Sequence, residues 1–529
     1  MVEKPRIRIP AVMGATIPDA AVAVPTMAAD AFTASPLSNP RFEAAGRGRR
    51  LRGFNPPKDH VNRALQKAGQ TLISRARWLY DNDGFAGNAV DEWAVHVVGD
   101  GIKPRPQFGS KSQKKKATEL FWLWAEECDA DGVTDFYGLQ EMIARETFLT
   151  GECFVRIRPR QPGDMETVPF QLQVLPSEML DASYNAQVAG GGYIRAGIEF
   201  GPIGNRVAYH FWRWHPYDDA PASAQRGTRV RVPADRVLHI FDGKQAGQIR
   251  GAPRVARVLV KLFQLEAYDD AELERKKTAA LFAGFIKGRG DAPLVEADDG
   301  DVEYIDDEIG IAPMEPGAMI DLGVDKDVSF STPTDVGGSY EAFQYRNLLK
   351  ICAGLGIPYF VVTGDLARGN FANVRAGMLG FRRRVKQWQH NTMVFQFCRP
   401  VWAEFMVRAH LAGALNMYGV QSKWKLCEWM PQAPDWVDPY KDIAAEKVEL
   451  EAGLRSRTQS LAQRGYDREA VDDEIEQERK DAKGRGLSFS TDGGGSGASR
   501  PASLNAPPDG SAVSDGGGSA DENTGANDA

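Results

Sequence analysis

The sequence predicts an α+β fold, and three observations carry that prediction. Apolar residues recur at helical spacing over residues 254–283 and 339–411. Short runs that alternate apolar and polar residues, bounded by proline and glycine, cluster between Glu152 and Phe241. The chain has 529 residues, 43% of them hydrophobic, enough to bury several packed layers of both kinds of element.

Taken in order, residues 11–34 are rich in alanine and proline and predict a mobile arm. Arg47-Gly48-Arg49-Arg50-Leu51-Arg52 is basic, and reads either as a solvated linker or as a contact with DNA or an acidic neighbour. Residues 60–99 read as one helix, with Val90, Trp93 and Val97 on its buried face and Gly99 as its stop. A lysine-rich turn at 111–116 precedes an apolar helix over 117–128. Strands are predicted at 152–158, 170–175, 193–200, 206–212 and 237–241.

Residues 254–283 then read as a helix. Val255, Val258, Leu259, Leu262, Phe263 and Leu265 give it a broad apolar face, and Pro253 sits at the first turn, where proline is tolerated. Asp269, Asp270, Glu272 and Glu274 precede Arg275, Lys276 and Lys277, which favours pairs three and four residues apart. Residues 284–333 combine short strands with an acidic run: Asp298, Asp299, Asp301, Glu303, Asp306, Asp307 and Glu308. That run is either a soluble loop face or a contact surface. It lacks the sixth-position glycine and twelfth-position glutamate of an EF-hand loop.

The stretch 339–411 organises the rest. Leu348, Ile351, Cys352 and Leu355 form one apolar stripe, and Gly356 followed by Pro358 ends that helix. A small polar loop, Thr363-Gly364-Asp365-Leu366-Ala367-Arg368-Gly369-Asn370, leads into a second helix striped by Val374, Met378, Phe381, Val385 and Trp388. Pro400 is expected to kink or end this helix. Beyond it, residues 443–454 and 468–483 read as helices, the latter almost wholly charged. From Ser488 the chain is glycine, serine, alanine, aspartate and asparagine, a composition that predicts disorder.

Five stretches resemble the lambda-like phage portal proteins. Gly356-Ile357-Pro358-Tyr359, Gly364-Asp365 and Asn370-Phe371-Ala372-Asn373-Val374-Arg375-Ala376-Gly377 form the first. The others are Asp81-Asn82-Asp83-Gly84-Phe85-Ala86 running to Val97-Val98-Gly99-Asp100-Gly101-Ile102, Leu149-Thr150-Gly151-Glu152, Gly247-Gln248-Ile249-Arg250-Gly251-Ala252-Pro253, and Trp436-Val437-Asp438-Pro439-Tyr440-Lys441-Asp442. They occur in family order over residues 75–485. Two positions depart from the family: Phe360 stands where a glutamate is common, and Ala372-Asn373 where two serines are usual.

The resemblance implies a portal-type fold with an α+β wing, a two-helix stem, a small α/β clip, a long α-helix and a helical crown, assembled as a ring of about twelve copies. In these terms residues 1–58 are a flexible arm, 59–250 the wing, 251–283 and 336–357 the stem helices, and 284–335 the clip. Residues 358–372 are the tunnel loop, 373–435 the long helix and following segment, 436–487 the crown, and 488–529 a disordered tail. It further implies that Ala367, Arg368, Gly369, Asn370, Phe371 and Asn373 line a DNA tunnel. Val255, Leu259, Leu262, Leu348 and Ile351 would make stem contacts between subunits, and Asp306, Asp307 and Glu308 would meet the terminase. The implied partners are the terminase large subunit, the major capsid protein, a head-completion adaptor and double-stranded DNA in the channel. The implied place is the portal vertex of the virion, after assembly in the host cytoplasm.

Composition and motifs limit the alternatives. A net charge of −7 argues against a free-standing nucleic-acid clamp, but not against a channel in which tight phosphate contacts would impede sliding. Five scattered cysteines without a CxxC pair predict reduced thiols rather than a disulfide frame or zinc site. No apolar run reaches membrane-spanning length, and the N-terminus lacks a signal-peptide pattern, so no membrane partner is expected. Gly364 and Gly369 have P-loop spacing, but Asn370 and Phe371 occupy the lysine and hydroxyl positions, so no nucleotide loop is expected. No HExxH motif occurs, and no cofactor or metal is expected. Arg289-Gly290-Asp291 is read as a simple turn. The competing functional class is an enzyme of head assembly, for instance a hydrolase using Cys153, or another structural connector. A buried structural thiol is the other reading of that cysteine. Arg368 is either the charge that the loop presents to DNA or an ordinary partner of Asp365.

Overall fold

The computed structural model describes residues 49–161, 163–219, 227–280, 284–288, 326–330, 340–417, 421–432 and 439–487. The acidic run 298–308, the tail from 488 and most of the N-terminal arm lie outside the described residues. A short 3-10 turn, Arg49–Leu51, belongs to the separate N-terminal unit, residues 1–60. Everything from Val61 on forms the second unit.

Helices α1 (Val61–Asn82) and α2 (Gly84–Val98) replace the single helix expected over 60–99. The break is at Asp83, whose backbone is extended and whose carboxylate accepts from the Ala86 N–H, capping α2. Strand β1 (Lys103–Pro106) follows, then α3 (Lys111–Glu127). The lysines expected in a turn are helical instead, because Ser110 and Gln113 close a capping box in front of them. Helix α4 (Phe136–Thr150) ends at Gly151 in the left-handed region, φ 93°.

Strands β2 (Glu152–Pro159) and β3 (Phe170–Leu175) begin the sheet region. They are followed by β4 (Ala186–Val188), β5 (Gly192–Arg195), β6 (Ile198–Phe200), β7 (Arg206–Trp212), β8 (Arg229–Pro233) and β9 (Val237–Phe241). The run 193–200 is therefore a hairpin, turned at Ala196 and Gly197, both at positive φ. Among the described residues these strands pair antiparallel, in a three-stranded sheet of order β3-β2-β9 and a five-stranded sheet of order β4-β5-β6-β7-β8, and Asp129 adds an isolated parallel bridge to Leu172.

A 3-10 turn at Arg254–Arg257 precedes α5 (Leu259–Ala280), so the predicted helix starts one turn late. Strands β10 (Gly284–Gly288) and β11 (Lys326–Phe330) pair with each other. Next come α6 (Tyr340–Leu355), the one-turn α7 (Tyr359–Thr363) and α8 (Phe371–Trp388). A π-helical stretch, Gln389–Cys398, passes directly into α9 (Arg399–Leu411). Pro400 does not end the helix, because the wider turns shift the bonding in front of it: Arg399 donates to the Val394 carbonyl. Short α10 (Gln421–Trp424), β12 (Cys427–Met430) paired with β1, α11 (Pro439–Glu451), α12 (Arg457–Gln463) and α13 (Arg468–Gly484) complete the chain. Lys111 on α3 meets Asp473 of α13 at 2.6 Å, and Arg105 on β1 meets Asp467 at 2.7 Å, which ties the charged last helix to the body.

Two apolar cores result. The larger joins the helices around Trp93, Phe121, Trp124, Phe136, Trp402 and Phe405. The smaller lies between the two larger sheets, around Phe154, Ile198, Tyr209 and Phe211. Glu152 sits where they meet and is buried with its carboxylate saturated. It accepts from Arg250 Nε at 2.6 Å, the Gly251 N–H at 2.7 Å and the Ser177 hydroxyl at 2.7 Å, and pairs with His239 Nε2 at 3.0 Å. Arg206 lies 3.3 Å from the other ring nitrogen, so with a donor there and an acceptor at Glu152, neutral His239 carries its proton on Nε2. The backbones of Gly151 and Gly251 touch: a Cβ on Gly151 would lie 2.2 Å from the Ala252 carbonyl carbon, and one on Gly251 2.0 Å from the Gly151 oxygen. The motif residues Gly151-Glu152 and Arg250-Gly251 thus form one buried joint between the sheets and the segment that leads into α5.

Burial favours neutrality at both titrating members. It lowers His239 to about 4, whereas at Glu152 it opposes but does not overcome the Arg250 charge and the His239 hydrogen bond, which hold the carboxyl far below its ordinary range. Between pH 6.5 and 4 the unfolded chain therefore binds a proton at His239 that the folded chain refuses, and stability falls as pH drops. Below about 4.5 Glu152 acts in the same direction, because only the unfolded carboxyl protonates readily. The expected result is a urea midpoint that declines from pH 6.5 to 4, with His239→Gln flattening that part of the curve. Gly151→Ala should cost roughly 2–4 kcal/mol, through both its positive φ and backbone overlap, while Gly84→Ala, with open space around it, should cost little. Equilibrium urea unfolding reads both.

Candidate functional site: the loop between α7 and α8

The loop sits on a junction of helix ends. Gly356, at φ 76°, closes α6 and donates to the Cys352 carbonyl at 2.8 Å. Two guanidinium groups meet the carbonyls exposed there: Arg254 Nε donates to Leu355 O at 2.7 Å and Arg384 Nη1 to Gly356 O at 2.9 Å. Positive charge at a helix C-terminus is favourable, and Arg254 also stacks 4.0 Å from the Trp93 ring centroid. Burial lowers Arg254 to about 10, so it remains charged at neutral pH. Asn88 on α2 donates to the carbonyls of Val361, at 3.2 Å, and Val362, at 2.8 Å, which fixes α7 against the core.

The loop itself is built rather than slack. Gly364 closes α7 in the left-handed region at φ 70°. Asp365 accepts from the Tyr359 hydroxyl at 3.1 Å and the Ala367 N–H at 2.9 Å, and Gly369 donates to Leu366 O at 3.0 Å. Asn370 caps α8 by accepting from the Asn373 N–H at 2.8 Å. Gly369 is not at positive φ, so the backbone needs glycine at Gly364 rather than there. Gly377 lies under the Phe360 ring, where a Cβ would come within 3.2 Å. The two positions are therefore matched in size.

The expected tunnel residues Ala367, Arg368, Gly369, Asn370 and Asn373 are all exposed, and Phe371 opens α8. Arg368 does not pair with Asp365. It pairs with Glu341 at the start of α6 and lies 4.2 Å from the Tyr345 ring centroid. Both partners are exposed, so the pair is weak and readily exchanged. Arg375 of the same motif reaches Asp442 on α11 at 2.7 Å, which joins the loop's helix to the last helical region.

The residues expected to make contacts between subunits need correction. Val255, Leu259, Leu262, Leu348 and Ile351 are buried among this chain's own side chains and present no surface to a neighbour. The exposed apolar residues on these elements are Val260, Phe263 and Leu273 on α5, with Trp78 edge-on to Phe263, and Phe343 and Leu349 on α6. Asp306, Asp307 and Glu308 lie outside the described residues. Cys153 is fully buried in β2, and burial pushes its thiol well above the usual range. Sequence reasoning missed Glu341, Tyr345, Arg254, Arg384 and Asn88. Only Arg254 carried a signal, directly after the Gly251-Ala252-Pro253 motif.

The family model described as phage portal protein, lambda family, matches residues 47–389. The class is thus that of phage portals, structural head–tail connectors of the virion rather than enzymes. Within it, the chain belongs to the lambda family of phage portal proteins. A probable portal protein of Halomonas phage phiHAP-1 is 26% identical over 446 residues, covering 81% of this chain and 83% of the relative. Portal protein B of Escherichia phage lambda is 22% identical over 494 residues, covering 84% and 90%. Among solved structures, a chain from the neck of the native gene transfer agent particle, computed with C12 symmetry, covers 76% of this chain and 94% of its own length at 14% identity and a TM-score of 0.45. Among the described residues no helix is long and apolar enough to cross a membrane.

Gly364→Ala should cost about 1 kcal/mol through its left-handed backbone, whereas Gly369→Ala should not carry that penalty. Urea unfolding of the two variants, with limited proteolysis at the loop, distinguishes them.

Proposed function

We propose that the chain assembles into a ring, of about twelve copies as the family resemblance implies, and forms the channel through which terminase packages double-stranded DNA and through which DNA leaves. The observation that carries this reading is the exposed, internally hydrogen-bonded loop at the start of α8. It offers one cation, Arg368, held only by a surface pair and a tyrosine ring. Repeated around a ring, such a loop presents one weakly committed positive charge per subunit, which suits transient phosphate contacts that are exchanged as the duplex moves. Residues 59–250 act as the wing, α5 and α6 as the stem, and residues 436–487 as the crown. Residues 284–335 act as the clip, whose Asp306, Asp307 and Glu308 meet the terminase and later the head-completion proteins.

Arg368→Glu should leave ring size unchanged in native mass spectra yet shorten the DNA packaged or retained in assembled particles. Full-length, stably held DNA in that variant would remove the loop from the duplex path. The outward face of the stem supplies the assembly test. Val260→Asp with Phe263→Asp should reduce the ring fraction without lowering the monomer's urea midpoint, while deleting residues 488–529 should leave rings intact. Leu262→Asp should instead unfold the chain, because that side chain lies in the core.

A further inference from the structure

The described surface also carries a cluster of arginines without acidic partners. On β2, Arg156, Arg158 and Arg160, the last just past the strand's end, alternate along one face. Phe154, two residues earlier on that face, is covered by the second core, whereas Arg156, Arg158 and Arg160 are partly exposed. Arg236, just ahead of β9, joins them, and the four line a shallow cavity of about 300 Å³ with Ile157 and Pro159. Arg160 donates to Gln171 Oε1 at 2.7 Å, whereas the side chains of Arg156, Arg158 and Arg236 form no ion pair or hydrogen bond among the described residues. The charged groups acting on half-buried Arg156 are its like-charged neighbours Arg158 and Arg236, and together with burial they lower its pKa.

Such an arrangement opposes folding. Arg156, Arg158 and Arg160 are like charges held together and partly buried with no ion pair among the described residues, although Gln171 and Gln173 on β3 show that uncharged residues fit the same face. All four cations are arginine, whose planar fork binds phosphate in bidentate fashion. Three of them form a row, and alternate residues of a strand are spaced by about 6.8 Å, so the charge is spread over roughly 13 Å instead of focused on one point. A row of unpaired forks suits a linear polyanion with regularly repeated phosphates better than a single small anion.

We propose that Arg156, Arg158 and Arg236, with Arg160 at the end of the row, form a binding site for the phosphodiester backbone of duplex DNA on the wing, separate from the loop at Arg368. The proposal rests on the portal reading only for DNA as the polyanion at hand. The site reads charge and not sequence.

The test uses the full-length protein and a fluorescein-labelled 30-base-pair duplex, with anisotropy titrations over a range of salt concentrations. The triple variant Arg156→Gln, Arg158→Gln, Arg236→Gln should bind more weakly. Its slope of log affinity against log salt should be shallower by about 3, close to 0.9 for each phosphate no longer neutralised. Its melting temperature should be unchanged or higher, since repulsion is relieved. With the same duplex, adding Arg368→Gln to both the wild type and the triple variant should leave the difference in slope between them unchanged. Unchanged affinity and slope in the triple variant overturn the proposal. So does selective loss of binding to a poly-glutamate peptide with DNA binding retained, which would assign the cluster to an acidic protein partner. A lower melting temperature without a change in slope would make the arginines structural and likewise overturn it. Native mass spectra of the same samples report ring formation, so failure of the portal reading is seen independently of failure at this site.

Discussion

The carboxylate of Glu152 is the interaction on which the rest of the architecture depends. It is the point at which helical body, sheets and the segment leading into α5 share one buried charge. Its donors come from different parts of the chain: Arg250 and Gly251 before α5, His239 from β9, Ser177 after β3. A buried carboxylate with four donors has no low-energy alternative arrangement, because losing any one leaves charge uncompensated in a dry site. The close backbone approach of Gly151 and Gly251 then follows, since any side chain there would push Arg250 and Gly251 away from the oxygens they serve. The motifs that look functional in the sequence at this place serve geometry. They set the direction in which α5 leaves the sheets.

The same logic is repeated on a smaller scale at the loop. Arg254 and Arg384 satisfy the end of α6, Asn88 satisfies α7, and Asp365 organises the turn, so the exposed residues 366–370 stand on a fixed base. At the tip, Arg368 is held by an exposed ion pair and a tyrosine ring. The base therefore keeps its position while the exposed pair at the tip can exchange at little energetic cost.

Much of this is legible in the sequence, for reasons that differ by element. Strands at 170–175, 206–212 and 237–241 have the bounds that their sequence predicts, because alternation and flanking turns agree there. The break at Asp83 is hidden because apolar spacing continues across it, and only the local capping bond interrupts the helix. Pro400 misleads because the rule for proline assumes four-residue bonding, and the chain changes to wider turns just before it. The apolar stripes of α5 and α6 show most clearly what periodicity cannot supply. It identifies Leu262, Leu348 and Ile351 correctly as apolar-face residues, but spacing along a helix does not say whether the cover comes from the same chain or another. The loop's place follows from its motif, whereas Glu341 and Tyr345 are partners across a fold and leave no mark in local spacing.

The continuous helix from Phe371 to Leu411 has a mechanical consequence. At about 1.5 Å per residue it is a rod of roughly 60 Å, with its first residue at the exposed loop and its far half buried in the aromatic core. Its π-helical section is pinned on two sides: Gln389 donates to Val97 O at 2.6 Å, and the Gln396 amide bonds both the N–H and the carbonyl of Phe241 on β9. Those two glutamines are a fulcrum. A sideways load at Asn370 becomes a torque about them, delivered on one side to the edge strand that holds His239 and on the other to the packing around Trp402. The joint of Glu152 lies close to that support, because His239 precedes Phe241 by two residues on the same strand.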